Sequence, residues 1–215
     1  MIDHQFIIQA IMRSQHCQRN WDLEKLVPAD DIKLLVTAAT QCSSKQNIAY
    51  YKLNVIQNRD LIEKIHLYTK GFTIVHGSDA KQTNSQVLAN VLFLFEEMTV
   101  SSKNINQIYS NEQTLSYFLK GDINSYELLT RDKNMAVGVA VGYVILTANL
   151  LGYSTGCCSC FESDPIKNLL NLENCPLLLI GVGHSDQTLN IRAHHKDHSF
   201  IFPAKIKQPI TVKYY

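Results

Sequence analysis

The chain has 215 residues, 46% of them hydrophobic, enough to bury a sizeable core in one domain spanning 1–215. Twenty Lys and Arg against nineteen Asp and Glu leave a formal charge of +1. That balance excludes a basic nucleic-acid scaffold, an acidic tail and a polybasic membrane anchor. Six cysteines are too sparse for a disulfide scaffold. His4, Gln5 and Gln9 interrupt the opening apolar pattern, so no secretory signal is expected and the expected compartment is the reducing cytoplasm.

Phe6, Ile7, Ala10 and Ile11 recur at helical spacing and predict an amphipathic helix over 4–14. A polar segment, Ser14 to Asn20, precedes Trp21. Pro28, Asp30 and Asp31 mark a second helix start, with Ile32, Leu35, Val36 and Ala39 as its apolar stripe and an end near Gln41. Cys42–Asn47 is a polar loop, Tyr50–Gln57 a strand, and Asp60–Thr69 a short helix stopped by Gly71. Residues 72–86 read as a loop and Val87–Phe95 as a buried strand. Residues 100–111 are polar and irregular, and Glu112–Lys120 is helical.

Asn134 to Phe161 contains no charged residue. Met135–Leu151 approaches the ~20 residues of a membrane span, and Gly138 with Gly142 forms a GxxxG pair. Thr147 and Asn149 interrupt the stretch and no basic cluster flanks it. The expectation is a helix over Asp132–Leu151, buried in a core or at a protein–protein interface. Gly152 ends it, and Ser154–Cys160 follows as a strand of small residues. Pro165 opens a helix capped by Ser163 or Asp164. Pro176–Val182 is a buried strand, Gly181-Val-Gly183 a tight strand exit, and Ile210–Tyr215 a last strand. Helices and strands mix without a βαβ rhythm, which indicates an α+β fold.

No dinucleotide, Walker, HExxH or GxSxG signature is present. Cys157, Cys158 and Cys160 with His184, His194, His195 and His198 offer soft ligands, but CxC spacing is not a zinc knuckle and no metal is expected. Three polar segments remain: Gln15, His16, Cys17 and Arg19; Ser43, Ser44, Lys45 and Asn47; Lys196 and His198. They supply cations, amides and hydroxyls without a nucleophile or a general base. That set suits a bound organophosphate cofactor that brings its own chemistry.

The order of segments resembles the FMN-dependent nitroreductase family. Gln15 to Trp21 stands where that family has an Arg-Arg-Ser-x-Arg-x-Phe type motif, with Arg19 and Trp21 matching its last basic and aromatic positions. Ala38 to Asn47 resembles its Ala-Pro-Ser-Ser-x-Asn helix end, and Asn149 to Phe161 its Leu-Gly turn and small-residue strand. Leu177–Gly183 and the basic pair Lys196 and His198 follow in the family's order. The departures are Gln15 for the first Arg, Cys17 for the Ser, Lys45 for the second Ser, Ala49 for a Gln, and Ser159-Cys160 for an acidic-Gly pair.

The resemblance implies an intertwined α+β homodimer with a central, mostly antiparallel sheet flanked by helices. FMN would sit at the subunit interface, with NADH or NADPH as electron donor and a nitroaromatic, quinone or related small acceptor. Chemistry would occur on flavin N5, with no catalytic side chain. Arg19 would face the pyrimidine end of the ring, and Gln15, His16, Cys17, Lys196 and His198 the ribityl and phosphate. Ser44, Lys45 and Asn47 would come from the second subunit. Asn84 and Gln86 would contact the ring, and Cys158, Ser159 and Cys160 would line it through backbone groups. The C-terminal segment would extend over the other subunit. The alternative is a non-catalytic flavin- or zinc-binding module with the same dimeric fold.

Overall fold

A computed structural model describes residues 3–71, 83–98, 125–204 and 206–215. Its helices are α1 (His4–Ser14), α2 (Ala29–Thr40), α3 (Arg59–Leu67), α4 (Ser125–Leu150) and α5 (Ser163–Leu170). Its strands are β1 (Tyr51–Ile56), β2 (Val91–Glu97), β3 (Ser154–Cys158) and β4 (Pro176–Gly183). They form one sheet in the order β1-β2-β4-β3, antiparallel at every pairing. The segment expected to be irregular over 100–111 and the helix expected over 112–120 lie outside the described residues, as does most of the loop at 72–86.

The central strands are apolar on both faces, and their alternation divides two cores. Val91, Phe93 and Phe95 of β2 with Ile180 and Val182 of β4 face α2 and α4, where they meet Leu35, Ala39, Ala140, Val144 and Ala148. Leu92 and Leu94 with Leu179 face the other way, onto Ile62 and Ile65 of α3, Ile166 of α5 and Trp21. The charge-free helix is therefore half committed: α4 buries one stripe on the sheet and on α2. The opposite stripe, Met135, Val139, Tyr143 and Leu146, is exposed. By length and composition Thr130–Leu150 could cross a membrane, yet half of its circumference forms the core.

Local signals set most boundaries. Asp3 caps α1 by accepting from the Gln5 and Phe6 amides. Asn58 caps α3 through the Leu61 amide at 3.0 Å. Gly152 ends α4 at φ +87°, a conformation open to glycine.

Four expectations are corrected. β2 begins at Val91, not Val87, because Ser85–Val87 is a 3-10 turn and the Leu88 and Ala89 carbonyls accept from Arg59. β3 ends at Cys158, so Cys158 and Cys160 do not share a strand face; Cys158 is buried and Cys160 exposed. Gly181 and Gly183 lie within β4 and are not a strand exit. Ile210–Tyr215 is not a strand: the segment is irregular, its apolar side chains are exposed, and it pairs with neither edge strand of the sheet, β1 or β3.

Gly156 of β3 pairs with Gly181 of β4. A Cβ at Gly181 would lie 2.2 Å from the Gln86 carbonyl oxygen, and one at Gly156 would lie 2.6 Å from it and 2.9 Å from the Gln18 carbonyl oxygen. Backbone cannot yield as a flexible side chain does. Gly181→Ala should therefore cost ~3 kcal/mol by overpacking, against ~1 kcal/mol for Gly152→Ala at its positive φ. Urea unfolding of the two variants checks the order; equal losses would mean that the Gln86 turn is free to move.

Candidate functional site

β3 is an edge strand of the sheet, and the segment after α1 runs beside it. The Gln18 amide donates to the Thr155 carbonyl at 2.8 Å, and the Asp22 amide to the His184 carbonyl at 2.8 Å. The turn at 84–87 crosses the glycine pair, and Trp21 Nε1 donates to the Ser85 carbonyl at 2.9 Å. Within the turn, Asn84 Nδ2 donates to Gln86 Oε1 at 2.8 Å and reaches Cys158 Sγ at 3.2 Å. The C-terminal segment 190–202 closes the group. The Trp21 amide donates to His195 Nδ1 at 3.2 Å, and Asn20 Nδ2 donates to the Asn190 carbonyl.

Arg19 sits at the centre. Its Nη1 donates to the Cys17 carbonyl at 3.1 Å, and its guanidinium carbon lies 4.5 Å from the centre of the Phe202 ring. Its Nε is buried with no hydrogen-bond partner among the described residues. Burial lowers the guanidinium below its ordinary pKa, partly offset by Cys17 and Cys158, and the group remains a cation at neutral pH. Phe202 in turn stacks on His194 with ring centroids 6.0 Å apart. Burial pushes the Cys158 thiol of the cradle up to about 12 and Cys157, on the opposite face of β3, up to about 11, so both stay neutral.

The structure thus gathers Cys17, Arg19, Asn84, Gln86 and Cys158 into one cradle beside the end of β3. Ser159 and Cys160 are exposed just past that end. Gln15 and His16 are exposed at the C-terminal end of α1, where Gln15 Nε2 turns back to the Met12 carbonyl at 2.9 Å. Lys196 forms an ion pair with Glu63, and His198 Nε2 contacts the His195 carbonyl at 2.9 Å. Ser44, Lys45 and Asn47 are elsewhere. Lys45 Nζ pairs with the buried Asp132 carboxylate at 2.5 Å, near the start of α4, and Ser44 Oγ donates to the Ile48 carbonyl at 2.9 Å. The cradle lies at the other end of α4, where Arg13 Nη2 donates to the Asn149 carbonyl at 3.1 Å. At 1.5 Å per residue Asp132 and Asn149 are about 25 Å apart along α4.

Phe202, Glu63 and His66 escape sequence reasoning. Phe202 follows no periodic pattern, while Glu63 and His66 lie in an ordinary amphipathic helix. Only the i,i+4 spacing of Arg59 and Glu63 hinted at a held carboxylate. Among the described residues no group of three or more His, Cys, Asp or Glu is placed to hold a metal ion.

Burial keeps His194 neutral. His194 Nδ1 accepts from the Lys196 and Asp197 amides at 3.1 and 3.2 Å, which fixes its tautomer. His66 is 3% exposed, and neither ring nitrogen has a partner among the described residues.

Residues 12–184 match the Nitroreductase family, and the chain belongs to it. No curated protein matches the sequence. A Bacillus subtilis structure assigned as the nitroreductase YdfN is 14% identical with a TM-score of 0.70, covering 99% of this chain and 100% of its own. An Exiguobacterium sibiricum nitroreductase structure determined in complex with FMN is 14% identical, with a TM-score of 0.67 and coverage of 97% and 94%. A Staphylococcus epidermidis structure assigned as an NAD(P)H:FMN oxidoreductase is 16% identical, with a TM-score of 0.65 and coverage of 94% and 92%. These likenesses show the fold.

Burial, reinforced by His194 for His66 and by Arg59 for His195, lowers both pKa values to about 4, from an ordinary 6.5. Between those limits the unfolded chain binds more protons than the folded one. Stability is therefore full above pH ~6.5 and falls as pH drops toward 4, with His66 contributing up to ~3 kcal/mol. His66→Phe should flatten the pH dependence of urea unfolding between pH 6.5 and 4. An unchanged slope would assign the proton uptake to other groups.

Proposed function

We propose that this member of the nitroreductase family is a cytoplasmic, FMN-dependent oxidoreductase. It would take electrons from NADH or NADPH and pass them, in ping-pong order, to a nitroaromatic, quinone or related small acceptor. The observation that carries the reading is Arg19, a half-buried cation with an unpartnered Nε beside the exposed backbone at the end of an edge strand. A flavin suits such a donor set: one cation with N–H groups to spare and the neutral Cys158 thiol as wall. Bound FMN would supply the hydride transfer itself.

The chain's part is to hold, orient and place charge. Arg19, steadied by the Cys17 carbonyl and the Phe202 ring, stabilises negative charge that develops beside it on reduction. Asn84 and Gln86 fix each other and present a rigid polar edge. The backbone at Cys158, Ser159 and Cys160 lines the N5 side. Gln15, His16, Cys17, Lys196 and His198 contact ribityl and phosphate.

Ser44, Lys45 and Asn47 join this site only across a homodimer. An antiparallel pairing of α4 with its copy brings the Asp132 end of one helix to the Asn149 end of the other, removing the separation of about 25 Å within one chain. The exposed α4 stripe supports this: Met135, Val139, Tyr143 and Leu146 are uncovered, and a Cβ at Gly138 or Gly142 would meet nothing within 4 Å. Phe6, Ile8, Ile11 and Met12 of α1 extend the apolar area, and the exposed segment Ile206–Tyr215 is free to lie over the second subunit.

Purified protein should be yellow, absorbing near ~450 nm as oxidised flavins do. Arg19→Gln should lower the two-electron potential by tens of millivolts, about 30 mV being ~1.4 kcal/mol for such a couple. Redox titration against a reference dye reads this. Equal potentials together with equal FMN affinity would place Arg19 away from the cofactor. Sedimentation at micromolar concentration should give about twice the 24.4 kDa chain mass, and a stable monomer that retains flavin would overturn the shared site.

A further inference from the structure

We propose that Glu63 is a built-in competitor for Lys196, weakening retention of a phosphate-bearing flavin relative to the same flavin without its phosphate. The inference rests on the reading of Lys196 as a phosphate contact.

Glu63 is a held group and not a mobile surface acid. Arg59, one turn earlier on α3, donates from Nε at 2.9 Å and Nη2 at 2.6 Å to Glu63 Oε1. Arg59 is itself anchored, its Nη1 donating to the Leu88 and Ala89 carbonyls at 2.9 and 3.1 Å. That fixes the carboxylate so that Oε2 meets Lys196 Nζ on the C-terminal segment. Burial alone would raise the Glu63 carboxyl, but hydrogen bonds from Lys196 and Arg59 outweigh it and hold the group ionised. His195 and His66 face the same carboxylate and are kept neutral by burial, so they add no cation at neutral pH.

Among the described residues Arg59 and Lys196 both pair with Glu63, so both cations are already partnered. An arriving phosphate dianion must share the Lys196 ammonium with a carboxylate that is bonded to it, and is repelled by that carboxylate at close range. A flavin lacking phosphate meets no such penalty. The sign separates this from simple positioning. If Glu63 served only to aim Lys196, removing its charge would weaken FMN; as a competitor, removing its charge strengthens FMN.

The experiment titrates apo-protein with FMN and with riboflavin by flavin fluorescence. Glu63→Gln keeps an oxygen for Arg59 and removes the charge. It should tighten FMN roughly tenfold at low salt, leave riboflavin unchanged, and lose most of the gain at high ionic strength. Glu63→Ala removes the same charge and should shift the FMN-to-riboflavin ratio in the same direction; thermal unfolding verifies that both variants are folded. In a Lys196→Gln background the gain should shrink, because the cation it liberates is gone. Flavin binding with an unchanged or weakened FMN-to-riboflavin ratio in both Glu63 variants overturns the Glu63 inference alone. Failure of the wild type to bind either flavin overturns the cofactor reading and the inference with it.

Discussion

The contact between the Gln86 carbonyl and the glycine pair Gly156–Gly181 is the constraint on which the site depends. Two strands meet there without side chains, so the sheet presents bare backbone, and a turn and a neighbouring segment lie flat on it. Any Cβ would lift the 84–87 turn. With it would go Asn84 and Gln86, the Trp21 bond to Ser85, and the path of the segment that carries Cys17 and Arg19. The cradle is a consequence of close packing more than of any one polar bond.

Charge is managed around this cradle by pairing and by exclusion. Arg59, Glu63 and Lys196 form a chain that ties the C-terminal segment to α3, and Lys45 is tied to Asp132. Arg19 alone among these cations faces a backbone carbonyl and an aromatic ring in place of a carboxylate. A cation so placed keeps its charge for whatever anion or developing charge approaches, since no carboxylate among the described residues pairs with it. The same burial keeps His66, His194 and His195 neutral, because the hydration a protonated ring would lose outweighs what the nearby Glu63 and Asp197 carboxylates give back.

Helix α4 acts as a ruler. Its inner stripe completes the core with α2 and the sheet, its outer stripe is apolar and bare, and its length separates Lys45 from Arg19. One helix thereby shapes the core of its own chain and sets the two polar groups apart. An apolar stripe with small residues at its centre suits close approach of a second helix.

Much of this was legible in the chain itself. The periodicity of Ile32, Leu35 and Ala39, Gly152 after the long helix and the buried apolar runs of β2 and β4 are local properties, set by steric and burial preferences within a few residues. They determined the helices, the strands and the α+β class, and the order of motifs determined the family. Tertiary structure alone decided the rest. Val87 to Ala89 carry a strand's composition but turn, because the glycine pair and Arg59 claim their backbone. Ile210 to Tyr215 carry a strand's composition but pair with neither edge of the sheet. Lys45 and Arg19 look equivalent as loop cations, yet Lys45 pairs with Asp132 within α4 while Arg19 packs on the Phe202 ring. Glu63, His66 and Phe202 gain their importance from neighbours more than 100 residues away in the chain, at Lys196, His194 and Arg19. Composition and spacing report what a residue prefers. Only packing reports which carboxylate, ring or carbonyl it meets, and those meetings set its charge, its freedom and its use.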